Sequence, residues 1–148
     1  MLSEEELIAW GERIGREAEP PLFVALRGDL GAGKSTLARA IARGAGVAGP
    51  VPSPTFNLLF HYSTPRLELA HLDLYRLEDP EEVWELGWAE MPAARDLVLV
   101  EWPERAEALL PEPRWEVRLE EVSDPAVRRV IATSVGSPGG LPGFAGEE

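Results

Sequence analysis

Residues 28–35, GDLGAGKS, hold the one lysine of a 148-residue chain whose thirteen other basic side chains are all arginine. They match G-x-x-x-x-G-K-[ST], the pattern of a loop that cradles phosphate oxygens with backbone amides. Gly28, Gly31 and Gly33 permit backbone angles that side chains forbid and let the main chain approach a ligand closely. The amides of Asp29, Leu30, Gly31, Ala32, Gly33 and onward to Thr36 are expected to point inward, with a helix N-terminus adding its positive dipole end. Asp29 contributes backbone only, because its carboxylate would be repelled by phosphate. Lys34 reaches β- and γ-phosphates as a point charge, Ser35 offers a hydroxyl to Mg²⁺, and Thr36 offers another to the phosphates. The implied ligand is a nucleoside triphosphate. ATP is the expected one, since the Asn-Lys-x-Asp signature of guanine specificity would need a second lysine.

Triphosphate chemistry needs an acid on a strand beside this loop, holding Mg²⁺ directly or through water. Two residues qualify by placement. Glu101 closes the apolar run Leu97-Val-Leu-Val100, at the strand end where ligands bind in open α/β sheets. Asp73 lies in Leu69-Ala-His-Leu-Asp-Leu-Tyr75, on the same face as His71 and Tyr75 by two-residue alternation. For each, the plainer reading is a solvated strand-end carboxylate. Ser53-Pro-Thr-Phe56 occupies the place where many NTPases keep a switch loop, with Thr55 as its γ-phosphate sensor; unaided, it reads as a proline-set turn. His71 reads as a structural hydrogen-bonding group rather than a base, and Trp102 as packing beside Glu101 or covering the site. Trp84 and Trp88, four apart, suggest one helical stripe facing the core or a partner.

The elements that must position these residues follow from the pattern. Ser3-Glu-Glu-Glu6 is a capping box opening a helix to about Ala18, with Leu7, Ile8, Trp10 and Ile14 on its apolar side. Leu22–Leu26 is a strand fit for burial on both faces, and Leu37–Ala42 a short helix stopped at Gly44–Gly46. Strands are expected over Thr55–Tyr62, Arg66–Tyr75 and Asp96–Glu101, and helices over Asp79–Met91 and Pro103–Leu110. A final hairpin joins Trp115–Val122 to Ala126–Val135 across Ser123-Asp-Pro125. The fold class is α/β, a P-loop NTPase-like three-layer sandwich whose sheet mixes parallel and antiparallel strands. Residues 1–135 form a single domain, and 136–148 a flexible Pro/Gly-rich tail with no way to pack.

Composition narrows the partners. A net charge of −12 argues against direct DNA binding or a self-sufficient grip on RNA, because phosphate contacts supply most such affinity. With no cysteine and two histidines, neither a disulfide framework nor a zinc site is expected. No apolar run approaches the ~20 residues of a membrane span and the acidic N-terminus is unlike a signal peptide, so the expected location is the cytoplasm.

GDLGAGKST at 28–36, PSPTF at 52–56, HLDLYRL at 71–77 and LVEWPER at 99–105, in this order and at these intervals, resemble the TsaE (YjeE) family. The resemblance covers roughly residues 3–134. It implies a small bacterial ATPase required for threonylcarbamoyladenosine formation next to the anticodon of tRNA. That ATPase associates with the TsaD–TsaB pair, and the tRNA is held through these partners. Carried onto this chain, Lys34 and the loop amides bind ATP, Ser35 and Glu101 hold Mg²⁺, and Asp73 is the further acid needed for hydrolysis. Thr55 lies in the switch-like loop, and the segment around Ser3 and Glu4 lies near the adenine. Ser35 departs from the family's usual Thr but supplies the same hydroxyl. The competing reading is a small-molecule or nucleoside kinase using the same loop. Such an enzyme needs a lid, usually rich in arginine, whereas Arg66, Arg76, Arg95 and Arg105 are scattered singly.

Overall fold

The computed structural model describes residues 1–29, 31–48 and 58–143. Leu30 and the Ser53–Phe56 segment with Thr55 lie outside them. Ser3 ends β1 (Leu2–Ser3) and caps α1 (Glu4–Glu17). Its hydroxyl accepts the Glu6 amide at 3.1 Å while its own amide donates to Glu6 Oε1 at 2.8 Å. The expected capping box is thus complete, and Leu7, Trp10 and Ile14 turn inward as the helical period requires.

The central strand β2 (Leu22–Arg27) is buried along its whole length. With α2 (Lys34–Ala45), β3 (Leu59–Ser63), β4 (Glu68–Asp73), β5 (Asp96–Glu101), β6 (Arg114–Glu121) and β7 (Val127–Val135), it builds a seven-stranded sheet of order β1-β7-β6-β2-β5-β4-β3. β6, β2, β5 and β4 run parallel, while β3, β7 and β1 join antiparallel at the two edges. This is the expected mixed α/β sheet. Parallel neighbours in register share a face, so Leu22, Val24 and Leu26 of β2, Leu97 and Leu99 of β5, and Leu69 of β4 pack together beneath α1 and α2. Phe23, Ala25, Val98, Val100, Ala70 and Leu72 fill the other face.

The third layer is not the α-helix expected over Asp79–Met91. It consists of two 3₁₀ segments, Pro80–Leu86 and Trp88–Glu90, divided at Gly87, whose φ of 82° ends the first. At three residues per turn, positions four apart do not share a face, and the two tryptophans separate accordingly. Trp88 is buried edge-on against Phe23 and donates its indole N–H to the Leu109 carbonyl at 2.9 Å, whereas Trp84 is 48% exposed. The helix expected at Pro103–Leu110 is likewise a 3₁₀ segment, Pro103–Leu109, kinked at Ala106.

The tail also differs from expectation over its described part. The Trp10 indole donates to the Pro142 carbonyl at 2.9 Å, Trp115 to Gly139 at 2.5 Å, and Arg13 to Gly143 at 3.1 Å, while Leu141 packs on the core. Buried indole N–H groups need acceptors, and a Pro/Gly segment without regular structure has carbonyls to spare.

α1 and α2 cross closely because glycine lines the contact. A Cβ on Gly15 would collide with the Ile41 carbonyl, and one on Gly44 with the Glu12 carbonyl. Gly15→Ala and Gly44→Ala should each cost about 1–3 kcal/mol in urea unfolding through overpacking, despite alanine's better helix propensity of about 1 kcal/mol. Gly140→Ala, with nothing within 4 Å, should leave the midpoint unchanged.

Candidate functional site

The loop after β2 climbs over the C-terminal edge of the sheet on three left-handed glycines, Gly28, Gly31 and Gly33, with φ of 147°, 83° and 110°. At Gly28 the reason is also steric, since a Cβ there would lie 2.5 Å from the Leu119 carbonyl. Gly33 caps α2 without a side chain, leaving the helix's first amides uncommitted. Of the amides expected to face a ligand, that of Ala32 donates to the Asp29 carbonyl at 3.0 Å, and those of Lys34, Ser35 and Thr36 lie in the first turn of α2.

Strand register brings the acids to this loop. Asp73, Glu101 and Leu26 are direct partners at the ends of β4, β5 and β2, and all point to the α2 side. Glu101 is 2% exposed. Its Oε1 accepts from Ser35 Oγ at 2.9 Å and its Oε2 lies 2.6 Å from His71 Nε2. This oxygen pair, a hydroxyl and a carboxylate, is of the kind that holds a small hard cation. Among the described residues no cluster of three or more His, Cys, Asp or Glu side chains forms a self-contained metal cage. Asp73 is half-buried, and burial raises its carboxyl above the ordinary value of 3.8 even though its Oδ1 accepts the Tyr75 amide at 3.0 Å; neighbouring Glu101 pushes the same way.

Lys34 is only 5% exposed. Its ammonium donates to the carbonyls of Gly28 and Asp29, the latter at 3.2 Å, and sits 3.7 Å above the centre of the Trp102 ring. Burial lowers its pKa from the ordinary lysine value, and the pull of Glu101, Glu104, Asp73 and Asp29 works against that. Trp102 therefore covers the site, one of the two roles expected for it. Its backbone is left-handed (φ 57°), a conformation costing a bulky residue about 1–2 kcal/mol, and its ring leans on Tyr75 at 4.9 Å.

Gly31, Gly33, Lys34, Ser35, Thr36, Asp73, Glu101 and the Tyr75–Trp102 pair enclose a cavity of about 240 Å³. A second cavity of about 200 Å³ lies on the other side of the same loop, lined by Glu4, Leu7, Pro125, Ala126 and Arg128 with Gly31, Ala32, Gly33 and Thr36. Of the two N-terminal residues expected near the adenine, Glu4 lines it, while the Ser3 side chain is spent on capping α1.

The family model described as "Threonylcarbamoyl adenosine biosynthesis protein TsaE" matches residues 1–131. The chain belongs to the TsaE family. A Rickettsia bellii protein named for tRNA threonylcarbamoyladenosine biosynthesis, TsaE, is 42% identical over 123 residues, 82% of this chain and 85% of its own length. The Bacillus subtilis TsaE is 35% identical over 136 residues, 92% and 84% of the two chains. The crystal structure of B. subtilis YdiB superposes with a TM-score of 0.75 at 29% identity, covering 93% of this chain and 83% of that one. The expected family and the α/β class are both met.

Three features of this TsaE-family chain were not read from sequence. Arg27, 8% exposed, holds Glu107 in a bidentate pair at 2.8 Å and Glu116 at 3.0 Å, and these carboxylates raise its pKa further. It thereby ties the segment after Trp102 to β6. A lone arginine ending an apolar strand was the available signal. The Glu101–His71 pair runs diagonally across two strands, and the Pro125–Arg128 wall reaches the loop through the β6–β7 hairpin, whose β6 runs beside β2.

The raised Asp73 carboxyl makes a stability prediction. A group protonated more readily when folded favours folding most below its unfolded value, and that contribution is lost as pH rises through the folded value. Asp73→Asn keeps the acceptor for Tyr75 and removes the charge. Its unfolding temperature should gain on wild type between about pH 4 and pH 7, and an equal offset across that range would contradict the assignment.

Proposed function

We propose that this chain is the Mg²⁺-dependent ATPase that supports threonylcarbamoyladenosine formation in tRNA, acting with a TsaD–TsaB pair. Family membership supports the tRNA pathway, and relatives at 35–42% identity carry names stating it. The observation that carries the ATPase part is local. Lys34, Ser35, Asp73 and Glu101 come from the loop and two different strands, and they meet around one cavity.

Each residue has a task in this reading. Lys34 leaves the Gly28 and Asp29 carbonyls and transfers its ammonium to the β- and γ-phosphates, an exchange of neutral acceptors for charged ones. The loop amides and the α2 N-terminus take the remaining phosphate oxygens. Ser35 Oγ and a Glu101 oxygen would hold Mg²⁺, which would neutralise charge developing on the phosphates. The donor set fits that ion: two protein oxygens beside a phosphate loop leave its other positions to water and phosphate, as magnesium prefers. Asp73, exposed enough to meet water and next to Glu101, orients the attacking water and accepts its proton at a carboxylate oxygen. Trp102 and Tyr75 exclude bulk solvent. The cavity beside Glu4 and Arg128 takes the nucleoside, and Thr55 in the 53–56 segment senses the γ-phosphate. The acidic chain leaves tRNA to its partners.

Phosphate release from ATP, with and without TsaD–TsaB and tRNA, tests this. The rate should rise with the partners. Lys34→Ala should lose ATP binding, while Asp73→Ala and Glu101→Ala should keep some binding, the latter with a higher Mg²⁺ requirement, and lose turnover by about 100-fold or more. Normal turnover in the acid variants would remove the role assignments, and a phosphorylated acceptor in place of free phosphate would identify a kinase.

A further inference from the structure

We propose that His71 is a positioning residue for the metal-holding carboxylate, fixing Glu101 so that one oxygen remains on the Ser35 side. The inference rests on the proposed Mg²⁺–ATP reading of the site. His71 is 1% exposed and its Nε2 lies 2.6 Å from Glu101 Oε2, on the opposite side of the carboxylate from the Ser35 contact. Its Nδ1 is buried with no hydrogen-bond partner among the described residues. The ring carries its proton on Nε2 and donates to Glu101, because two acceptors would otherwise face each other at 2.6 Å. That polarity matters. A carboxylate free to rotate could turn either oxygen to Ser35 or withdraw both, and Asp73, two residues beyond His71 on the same face, would repel it. His71 is held in turn by β4, whose register sets it beside Leu99, one alternation behind Glu101. Outer partners of this kind orient a metal-binding side chain without touching the metal.

Reach separates this role from ordinary packing. The amide nitrogen of glutamine can stand where Nε2 stands, whereas the shorter asparagine falls near Nδ1 and cannot reach Oε2. ATP affinity would be measured calorimetrically on the full chain, in EDTA and across a Mg²⁺ titration. His71→Asn should match wild type in EDTA but require roughly ten- to a hundredfold more Mg²⁺ for half-maximal tightening. His71→Gln should stay within about threefold of wild type. Asn and Gln variants with the same Mg²⁺ requirement would overturn the proposal, as would an Asn variant whose affinity falls equally in EDTA. Should the Asn variant fail to fold, His71→Gln alone decides, because a folded Gln variant needing tenfold more Mg²⁺ contradicts the donor role. Failure of the nucleotide reading looks different: wild type itself would bind no ATP.

Discussion

Burying a carboxylate costs several kcal/mol unless donors meet it and the geometry is good. Glu101 sits under that constraint at the C-terminal end of β5. Its donors come from α2 and β4, so the loop helix and the neighbouring strand must both be in register before the charge is tolerated. The parallel pairing of β2, β5 and β4 supplies that register, and the apolar faces of these strands hold it. The site is thus a consequence of sheet order. A one-residue slip of β4 would turn Asp73 and His71 to the opposite face and leave Glu101 buried with one partner.

The costly features of the chain gather at the same edge. Lys34 is desolvated, Asp73 is held partly out of water, and Trp102 stands in a left-handed conformation. The two charge costs would be relieved by ligands of opposite sign, an anion at Lys34 and a cation near Asp73. Away from this edge the chain follows ordinary rules: a complete capping box, strands apolar on both faces, helices packed through glycine. Local rules broken together at one place are the usual mark of a functional site. The Arg27 lock behind Trp102 supplies the rigid support that such strain requires.

Much of this was legible before any coordinates. The G-x-x-x-x-G-K-[ST] pattern is contiguous, and two-residue alternation puts Asp73 on the face of His71, but placing both acids on the face of Leu26 required the strand register. Where the sequence misled, the reason is physical. Trp84 and Trp88 mimic a helical repeat, but Gly87 lies between them and the segment winds as 3₁₀, so only Trp88 is buried. The described part of the tail, residues 136–143, docks through carbonyls, which leave no apolar period in the sequence. The wall of the second cavity comes from the expected β6–β7 hairpin, but its place beside the loop required the β2–β6 pairing. His71 was recognisable as a hydrogen-bonding group, yet its partner, diagonal on the next strand, required the register.

The most direct test of the central claim is a crystal structure of the chain with Mn²⁺ and a non-hydrolysable ATP analogue. The account predicts an anomalous peak bound by Ser35 Oγ and Glu101, with the Lys34 ammonium moved from the Gly28 and Asp29 carbonyls onto the phosphates. A nucleotide bound with Lys34 still tied to those carbonyls, or a cation held away from Glu101, would contradict it.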